Sequence, residues 1–390
     1  MIVNNSVKGI KRTSIGFEDY LLVFMLIAVS GNPLFTGEWY QIAAAIIAAV
    51  FALSRKRLSL GKEIMPWLLI FFILFTFQRL ILPSVSIAAD IKFFAMLLAG
   101  YFVTSILGIN FRNAYLRVMV FIAAVSLILW PINLFYLFPG IEVDRYISVI
   151  FYNYINRDFD TIRRNCAMFG EPGLYQGFLL LTPLLYIGQI KQLWAEHKNE
   201  CIILILALLS SMSTTGYVVF AVLIFLVFNK KVKNIFLKIF LVVSLLIVAS
   251  WAYSTFDFLG SKIEDQFGSA QEYRKGEVTW TRFGSAQVDF DNIEKHPIIG
   301  NGFLLFEKYG ALAEYMGGAG NGFTGAVNTF GIPLMVMYLL ALFRRAPSPS
   351  KYDKFVFVLI VVLMLNGEHF LNFPLFWSLL FVRYPVASLQ

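Results

Sequence analysis

Apolar stretches follow one another along almost the whole chain, and short polar connections separate them. Twelve segments are predominantly apolar, at about 17–34, 39–54, 64–78, 90–107, 117–138, 173–190, 201–213, 215–229, 234–252, 322–343, 354–366 and 370–383. Such recurrence is typical of a chain that crosses a bilayer many times. The pattern predicts an all-α polytopic membrane protein of one integral membrane domain, with about 12 transmembrane helices.

Basic residues mark every second connection. They precede the first segment and follow the second, fourth, sixth, eighth, tenth and twelfth. Because Lys and Arg accumulate on the cytoplasmic side, both termini are predicted to be cytoplasmic. The first segment lacks a cleavage site and is predicted to be retained as a span. The two long connections, 139–172 and 253–321, are predicted to be large loops on the opposite face.

Segments 201–213 and 215–229 are each shorter than a usual span. A single merged span would place the lysines at 230–238 on the outer face. The sequence therefore predicts two short helices joined by the hydroxyl-rich turn 210–216. That turn is interpreted either as the wall of a polar pocket or as a plain hairpin whose hydroxyls bond to the preceding helical turn.

The composition agrees with a membrane protein, since 58% of the 390 residues are hydrophobic and 14% are charged. Basic cytoplasmic connections account for the formal charge of +8 without a nucleic-acid partner. Cys166 and Cys201 are predicted to lie on opposite faces and not to pair. With three histidines and no acid pair at ligand spacing on a helix, the sequence predicts no metal and no cofactor.

The first candidate for chemistry is the stretch 161–177. Arg163, Arg164 and Glu171 precede Pro172, and an apolar run follows. Proline is favoured at the first turn of a helix, where free N–H groups and the positive end of the helix dipole attract anions. The stretch predicts a phosphate site at the membrane surface. The alternative is an ordinary loop-to-helix junction with interfacial arginines.

The second loop and the end of the chain hold further candidates. The loop 253–321 carries six basic and ten acidic residues, so its arginines are expected to have assigned partners. Arg282 is singled out because the rigid turn 296–302 follows it. Asn321 ends a glycine-rich run at the start of a segment, and Glu368 lies in a short outer turn. The structural alternatives are a flexible hinge for the run, and a helix cap or an arginine partner for Glu171 and Glu368.

These motifs follow one another in a definite order from about residue 160. They are Arg164 with Glu171-Pro172, Ser213-Thr-Thr-Gly216, Arg282 with Pro297-Ile-Ile-Gly-Asn-Gly302, Asn321, Gly331 and Glu368. In this order and topology the chain resembles the O-antigen polymerase and O-antigen ligase superfamily of bacterial envelope glycosyltransferases. The resemblance implies an inverting, metal-independent GT-C enzyme of the bacterial inner membrane, with its active site facing the periplasm.

The resemblance also implies a substrate class and site residues. Both donor and acceptor would be undecaprenyl-pyrophosphate-linked glycans, and the product would be O-antigen or a related surface polysaccharide. Arg163 or Arg164, and Arg282, match the functional arginines of the two external loops; Asn321 and Glu368 are further expected substrate contacts. Arginines can stabilise the departing diphosphate, and Glu171 is the expected base. Expected partners are membrane lipids and the flippase and chain-length regulator of the same pathway.

Two other functions remain open. Ligases of the superfamily typically carry a His-Asn pair before the late span; here Gly320 precedes Asn321, which favours a polymerase over a ligase. A transporter or flippase of lipid-linked sugars is the third reading. Transporters usually place ionisable groups at mid-membrane depth, and the apolar segments hold almost none.

Overall fold

The computed structural model describes residues 15–55, 60–82, 86–143, 146–155, 163–230, 282–309 and 321–384, with isolated positions at 234, 236, 237, 264 and 268. The described chain is mostly helical, in agreement with the predicted class. The described residues leave out most of the predicted segment 234–252, most of the part of the second loop at 253–281, and residues 317–320 of the glycine-rich run.

Fifteen α-helices lie within the described residues and are numbered in chain order. They are α1 (Phe17–Ala28), α2 (Glu38–Ser54), α3 (Met65–Ile81), α4 (Ile87–Leu107), α5 (Phe111–Phe135), α6 (Pro172–Leu184), α7 (Ile190–Glu196), α8 (Lys198–Ser210), α9 (Thr214–Asn229), α10 (Arg282–Ile293), α11 (Leu305–Tyr309), α12 (Gly322–Phe330), α13 (Ile332–Arg345), α14 (Lys351–Gly367) and α15 (Pro374–Ser378). Short 3₁₀ turns occur at Gly108–Asn110, Ile187–Gln189 and Phe370–Asn372.

Within the described residues, the stretch Ile87–Phe135, which contains α4 and α5, is long and apolar enough to cross a bilayer. Helices α2, α3 and α9 are apolar but shorter, and α12 with α13 passes the same test only as a bent pair. These helices point to a membrane-embedded helical protein. The count of 12 spans and the orientation of the chain stay predictions.

The prediction of one helix over 322–343 is wrong. Helices α12 and α13 meet at Gly331 with a bend of 119°. Gly331 has a φ of 81°, and a side chain at this position would overlap the carbonyl oxygen of Ile298. Only glycine accepts that backbone conformation without strain, so an apolar segment that contains it need not be one straight helix.

The prediction of a continuous helix over 370–383 is also wrong. This segment forms the turn Phe370–Asn372 and the five-residue helix α15, followed by turns and an extended end. Trp377 is completely buried, and its ring lies 5.3 Å from that of Phe71 and 5.2 Å from that of Phe93. The segment is apolar because it fills the protein core, which periodicity alone does not distinguish from a span.

Two other parts of the pattern have clear outcomes. The two short helices predicted on either side of the turn 210–216 are confirmed as α8 and α9.

The loop 139–172 contains a small antiparallel sheet that the sequence did not indicate, with strands β1 (Ile141–Val143), β2 (Tyr146–Ser148) and β3 (Asn153–Ile155) in that order. Ile141 pairs with Ser148, and Tyr146 pairs with Ile155. Cys166 and Cys201 form no disulfide with each other.

Ion pairs join the ends of helices whose connections are basic. Arg55 after α2 contacts Glu18 and Asp19 in α1. Lys230 after α9 contacts Asp353 at 2.7 Å, near the start of α14. Each of these contacts links the end of one helix to the start of another, so the polar connections hold neighbouring helices in register.

Candidate functional site

Arg282 lies where three helices come together. It is the first residue of α10, and its guanidinium donates to the Thr215 hydroxyl at 2.7 Å and to the Glu368 carboxylate at 2.9 Å. Its side chain is 32% exposed and that of Glu368 is 12% exposed. The arginine is therefore fixed in direction by two side chains and still accessible to a ligand.

The Glu368 carboxylate lies over the first turn of α6. A side chain at Gly173, the second residue of that helix, would overlap this carboxylate. Pro172 begins the helix, as the sequence predicted. A carboxylate at the start of a helix is stabilised by the free N–H groups and the helix dipole. The place where the sequence predicted a ligand phosphate thus lies beside the protein's own anion.

The turn before α9 brings α9 close to both α6 and Arg282. Ser213 caps the helix by accepting a hydrogen bond from the Gly216 N–H at 3.3 Å, and this fixes the Thr215 hydroxyl beside Arg282. Gly216 lies against the side chain of Gln176 in α6. The Gln176 amide is buried, and neither its oxygen nor its nitrogen has a hydrogen-bond partner in the described structure.

Arg163 is held at the end of α5 and away from the Arg282–Glu368 pair. Its guanidinium donates to the carbonyl oxygen of Asn133, and its own carbonyl accepts from the Trp130 indole at 2.8 Å. The next residue, Arg164, is half-buried.

The segment after Arg164 reaches the turn that binds Arg282. The Asn165 amide donates to the hydroxyls of Ser126 at 3.1 Å and Ser210 at 2.9 Å. Ser210 ends α8, and Thr215 follows the short turn after it. Arg164 and Arg282 therefore lie at the same end of the α8–α9 hairpin.

Glu171 and Asn321 are engaged within the protein. The Glu171 carboxylate accepts from the Tyr146 hydroxyl at 3.2 Å, directly before α6. Asn321 caps α12, since its side-chain oxygen accepts from the N–H groups of Phe323 and Thr324 at 3.1 Å. Its amide nitrogen donates to Asn366 at 3.1 Å. The structure gives Asn321 a capping role, and its contact with substrate stays a prediction.

Asp289 is the centre of a polar network that sequence reasoning missed. It is completely buried in α10 and accepts hydrogen bonds from Tyr309 at 2.9 Å, Thr324 at 2.6 Å and Asn328 at 3.0 Å. Asn328 in turn accepts from Asn301 at 2.7 Å. One signal was present: Thr324 and Asn328 are four residues apart in an apolar segment, which places two polar side chains on one helix face.

Burial and charge shift the pKa values around this network. Burial raises the pKa of Asp289, against three hydrogen bonds that lower it. Burial also lowers the pKa of Lys308 to about 8, partly offset by the charge of Asp289. The pKa of His369 falls to about 4 because of burial and the positive charges of Lys308 and Arg282. His369 is therefore neutral at pH 7.

A cavity of about 400 Å³ opens beside these residues. Lys308 and His369 line it, and so does Gly322, which packs against the Glu368 carbonyl oxygen. The cavity offers two lysines, a neutral imidazole, the Glu38 carboxylate and several hydroxyl and amide groups, and Arg282 lies near enough to His369 for its charge to act on that ring. Such groups suit a polar, anionic ligand.

No group of three or more His, Cys, Asp or Glu side chains converges as metal ligands among the described residues. Comparison with known protein families and with curated protein sequences finds no match for this chain.

Proposed function

We propose that the protein is a membrane glycosyltransferase that joins polyprenyl-diphosphate-linked glycans, in the manner of a polysaccharide polymerase at the outer face of the bacterial inner membrane. The observation that carries the proposal is the geometry of Arg282. This arginine is directed by Thr215 and Glu368, remains partly exposed, and adjoins both the first turn of α6 and a polar cavity.

In the proposed reaction, a sugar hydroxyl of one lipid-linked glycan attacks the anomeric carbon of another. A new glycosidic C–O bond forms, and the bond between the anomeric carbon and the diphosphate oxygen breaks with its electron pair. Arg282 donates hydrogen bonds to the departing diphosphate, and Arg164 approaches from the same end of the α8–α9 hairpin. Charge that develops on the leaving group is stabilised by such pre-oriented donors.

The proton of the attacking hydroxyl needs an acceptor. Glu171 is the proposed base, because it directly precedes α6 and its carboxylate, an acceptor for the Tyr146 hydroxyl, can also accept a proton. The proton then passes to solvent. No metal and no cofactor takes part in this proposal, and the expected partners are the lipid-linked donor and acceptor, membrane lipids, a flippase and a chain-length regulator.

One observation favours a glycan ligase as the second candidate. Ligases of the superfamily pair a histidine with the asparagine before the late span, and no histidine is near Asn321 in sequence. In the structure, the His369 ring lies close to Gly325, four residues after Asn321 in α12; a Cβ at that glycine would be 3.1 Å from the ring. A histidine from the far end of the chain thus reaches the same helix.

The test compares Arg282→Ala and Arg282→Lys with Arg344→Ala, an exposed arginine at the end of α13. Each variant is expressed in the deletion strain, and the surface glycan is resolved by gel electrophoresis. We expect both Arg282 variants to lose chain extension at normal protein levels, since a lysine cannot reproduce the two-pronged contact. Arg344→Ala should extend normally.

The product pattern separates the two candidates. Glycans of a single repeat unit in the deletion strain indicate a lost polymerase, whereas full-length chains retained on the carrier indicate a lost ligase. Normal glycan length in both Arg282 variants would show that the arginine is structural and would overturn the proposed chemistry.

A further inference from the structure

The cavity beside Arg282 and Glu368 holds two lysines that the proposed reaction does not use. Lys92 of α4 and Lys308 of α11 both line it. Neither ammonium group donates a hydrogen bond or forms an ion pair within the described structure. Lysines in a concave site without partners attract an anionic group of a ligand.

The acids near these lysines do not neutralise them by contact. Glu38 lines the same cavity but forms no ion pair with either lysine within the described structure. The charge of Asp289 acts on Lys308 from a distance and partly offsets the lowering of the Lys308 pKa by burial. The Asp289 carboxylate is already bound by Tyr309, Thr324 and Asn328. Lys308 therefore keeps its hydrogen-bonding capacity for a group that enters the cavity.

The rest of the lining suits a sugar ring. Phe303 lines the cavity as a half-buried ring and packs against the completely buried Phe93, with ring centres 5.7 Å apart. The apolar face of a sugar can stack on the exposed part of the Phe303 ring. Ser86, Asn372 and His369 add groups that can exchange hydrogen bonds with hydroxyls. The volume of about 400 Å³ falls in the usual range of small-ligand pockets, which is about 300–1,000 Å³.

The walls of the cavity are held in place by the buried network. Asp289 binds Tyr309, which follows Lys308, and Thr324, which precedes the lining residue Gly325. A charged group held between rigid walls is recognised with less loss of entropy than one bound by mobile surface lysines.

We propose that this cavity binds a sugar residue that carries a carboxylate, with Lys92 and Lys308 as its cationic contacts. The inference rests on the proposed function in one respect, namely that the neighbouring Arg282 acts on a glycan. It adds the substrate class: the repeat unit is an acidic glycan. The preference for a carboxylate is measured by binding alone, so it is tested separately from glycosyl transfer.

The experiment uses the purified full chain in nanodiscs of uncharged lipid. The probes are a trisaccharide of galacturonic acid and the same trisaccharide with its carboxyl groups reduced to alcohols, compared by calorimetry. We expect the acid form to bind about 10-fold more tightly or better, which is the usual worth of a hydrogen bond to a charged group. Lys308→Gln and Lys92→Gln should each lose most of that preference.

Two control variants distinguish loss of the lysine charge from misfolding of the protein. Lys308→Arg keeps the cation and should keep the preference, and Lys351→Gln, an exposed lysine at the start of α14, should behave as the original protein. Arg282→Ala should retain the preference for the acid probe while losing chain extension. A protein that shows the preference without any transfer would contradict the proposed function alone and support this inference.

Three results would overturn the inference. They are equal binding of the two trisaccharides, a preference that survives both glutamine substitutions, and displacement of the acid probe from Arg282→Ala by inorganic diphosphate. The last result would mean that the lysines hold a phosphate of a lipid-linked substrate and not a sugar carboxylate.

Discussion

Glu368 contacts three separate parts of the chain, two through its carboxylate and one through its backbone carbonyl. It accepts from Arg282, lies over Gly173 at the start of α6, and forms the turn that adjoins Gly322 through its carbonyl oxygen. Its negatively charged carboxylate lies at the start of α6, a position that would otherwise attract a ligand anion. Glu368 therefore orients Arg282, and in the proposed reaction it would compete with the diphosphate for that arginine.

This double role predicts opposite effects of Glu368→Gln on binding and on reaction. Inorganic diphosphate should bind about 10-fold more tightly, since removing a nearby like charge favours the anion. Chain extension should fall, because Arg282 loses its charged positioning partner. Calorimetry and glycan gels measure the two effects, with Glu294→Gln, an exposed glutamate directly after α10, as the control. Weaker diphosphate binding would mean that Glu368 contributes to the anion site.

Asp289 should be important for stability. Asp289→Ala leaves Tyr309, Thr324 and Asn328 without their common acceptor, and each orphaned buried group costs about 1–3 kcal/mol. We expect a clear fall in the thermal unfolding midpoint in detergent. Asp291→Ala, at an exposed site two residues along the same helix, should change it little. Equal midpoints for the two variants would contradict the role of the network.

The lowered pKa of Lys308 predicts that binding of an acidic sugar in the cavity depends on pH. Its pKa is lowered to about 8, so the ammonium is charged below that pH and loses its proton above it. Binding of the galacturonic acid trisaccharide should weaken as the pH rises through 8, and in Lys308→Arg the weakening should disappear. The other titratable groups around the cavity are Glu38, Lys92, Arg282, Asp289, Tyr309 and His369. A slope that persists in Lys308→Arg would assign it to one of those groups.

At the scale of elements, the bend between α12 and α13 organises the site. Helix α12 carries two of the three partners of Asp289, Thr324 and Asn328, on one face. Helix α13 continues at an angle of 119° to α12. The bend is held on both sides, because the Gly331 N–H donates to the Val327 carbonyl at 2.8 Å and the Ile332 N–H donates to the Pro297 carbonyl at 2.8 Å. The turn 296–302 therefore packs into the break in the helix.

Gly331→Ala should disrupt this junction. The new Cβ would overlap the Ile298 carbonyl oxygen, and the φ of 81° is strained for any residue with a side chain. We expect a lower unfolding midpoint and less folded protein by size-exclusion chromatography. Gly16→Ala is the matched control, because its Cβ would meet nothing closer than 4.0 Å and its φ is −84°. Similar behaviour of both variants would show that the bend tolerates a side chain.

At the scale of the whole molecule, the Lys230–Asp353 ion pair and the candidate site lie at opposite ends of the same two helices. Lys230 and Asp353 join the end of α9 to the start of α14, while Thr215 and Glu368 mark the opposite ends of the same two helices. This separation agrees with the predicted orientation, in which basic connections are cytoplasmic and Arg282 is external.

Cysteine labelling tests that orientation. In a variant with Cys166→Ala and Cys201→Ala, Lys295→Cys should react with a membrane-impermeant maleimide in intact spheroplasts. Lys351→Cys should react only after the membrane is opened. Both positions are exposed, so a lack of reaction reports the side of the membrane and not burial. The reverse pattern would invert the topology and remove the external site.

The sequence by itself determined the helical class, the pair of short helices α8 and α9, and the helix start at Pro172. These features depend on local composition, on capping residues and on the length of apolar runs. The same information also marked Arg282 and Glu368 as residues of interest, because charged side chains are conspicuous next to apolar segments.

Only the tertiary structure decided that Arg282, Thr215 and Glu368 bond to one another, that Asp289 is buried, and that 370–383 folds into the core. An apolar run shows that a segment avoids water, but it does not show whether the segment faces lipid or protein. Contacts between residues far apart in sequence, such as those of Arg282 with Thr215 and Glu368, depend on how helices pack against each other.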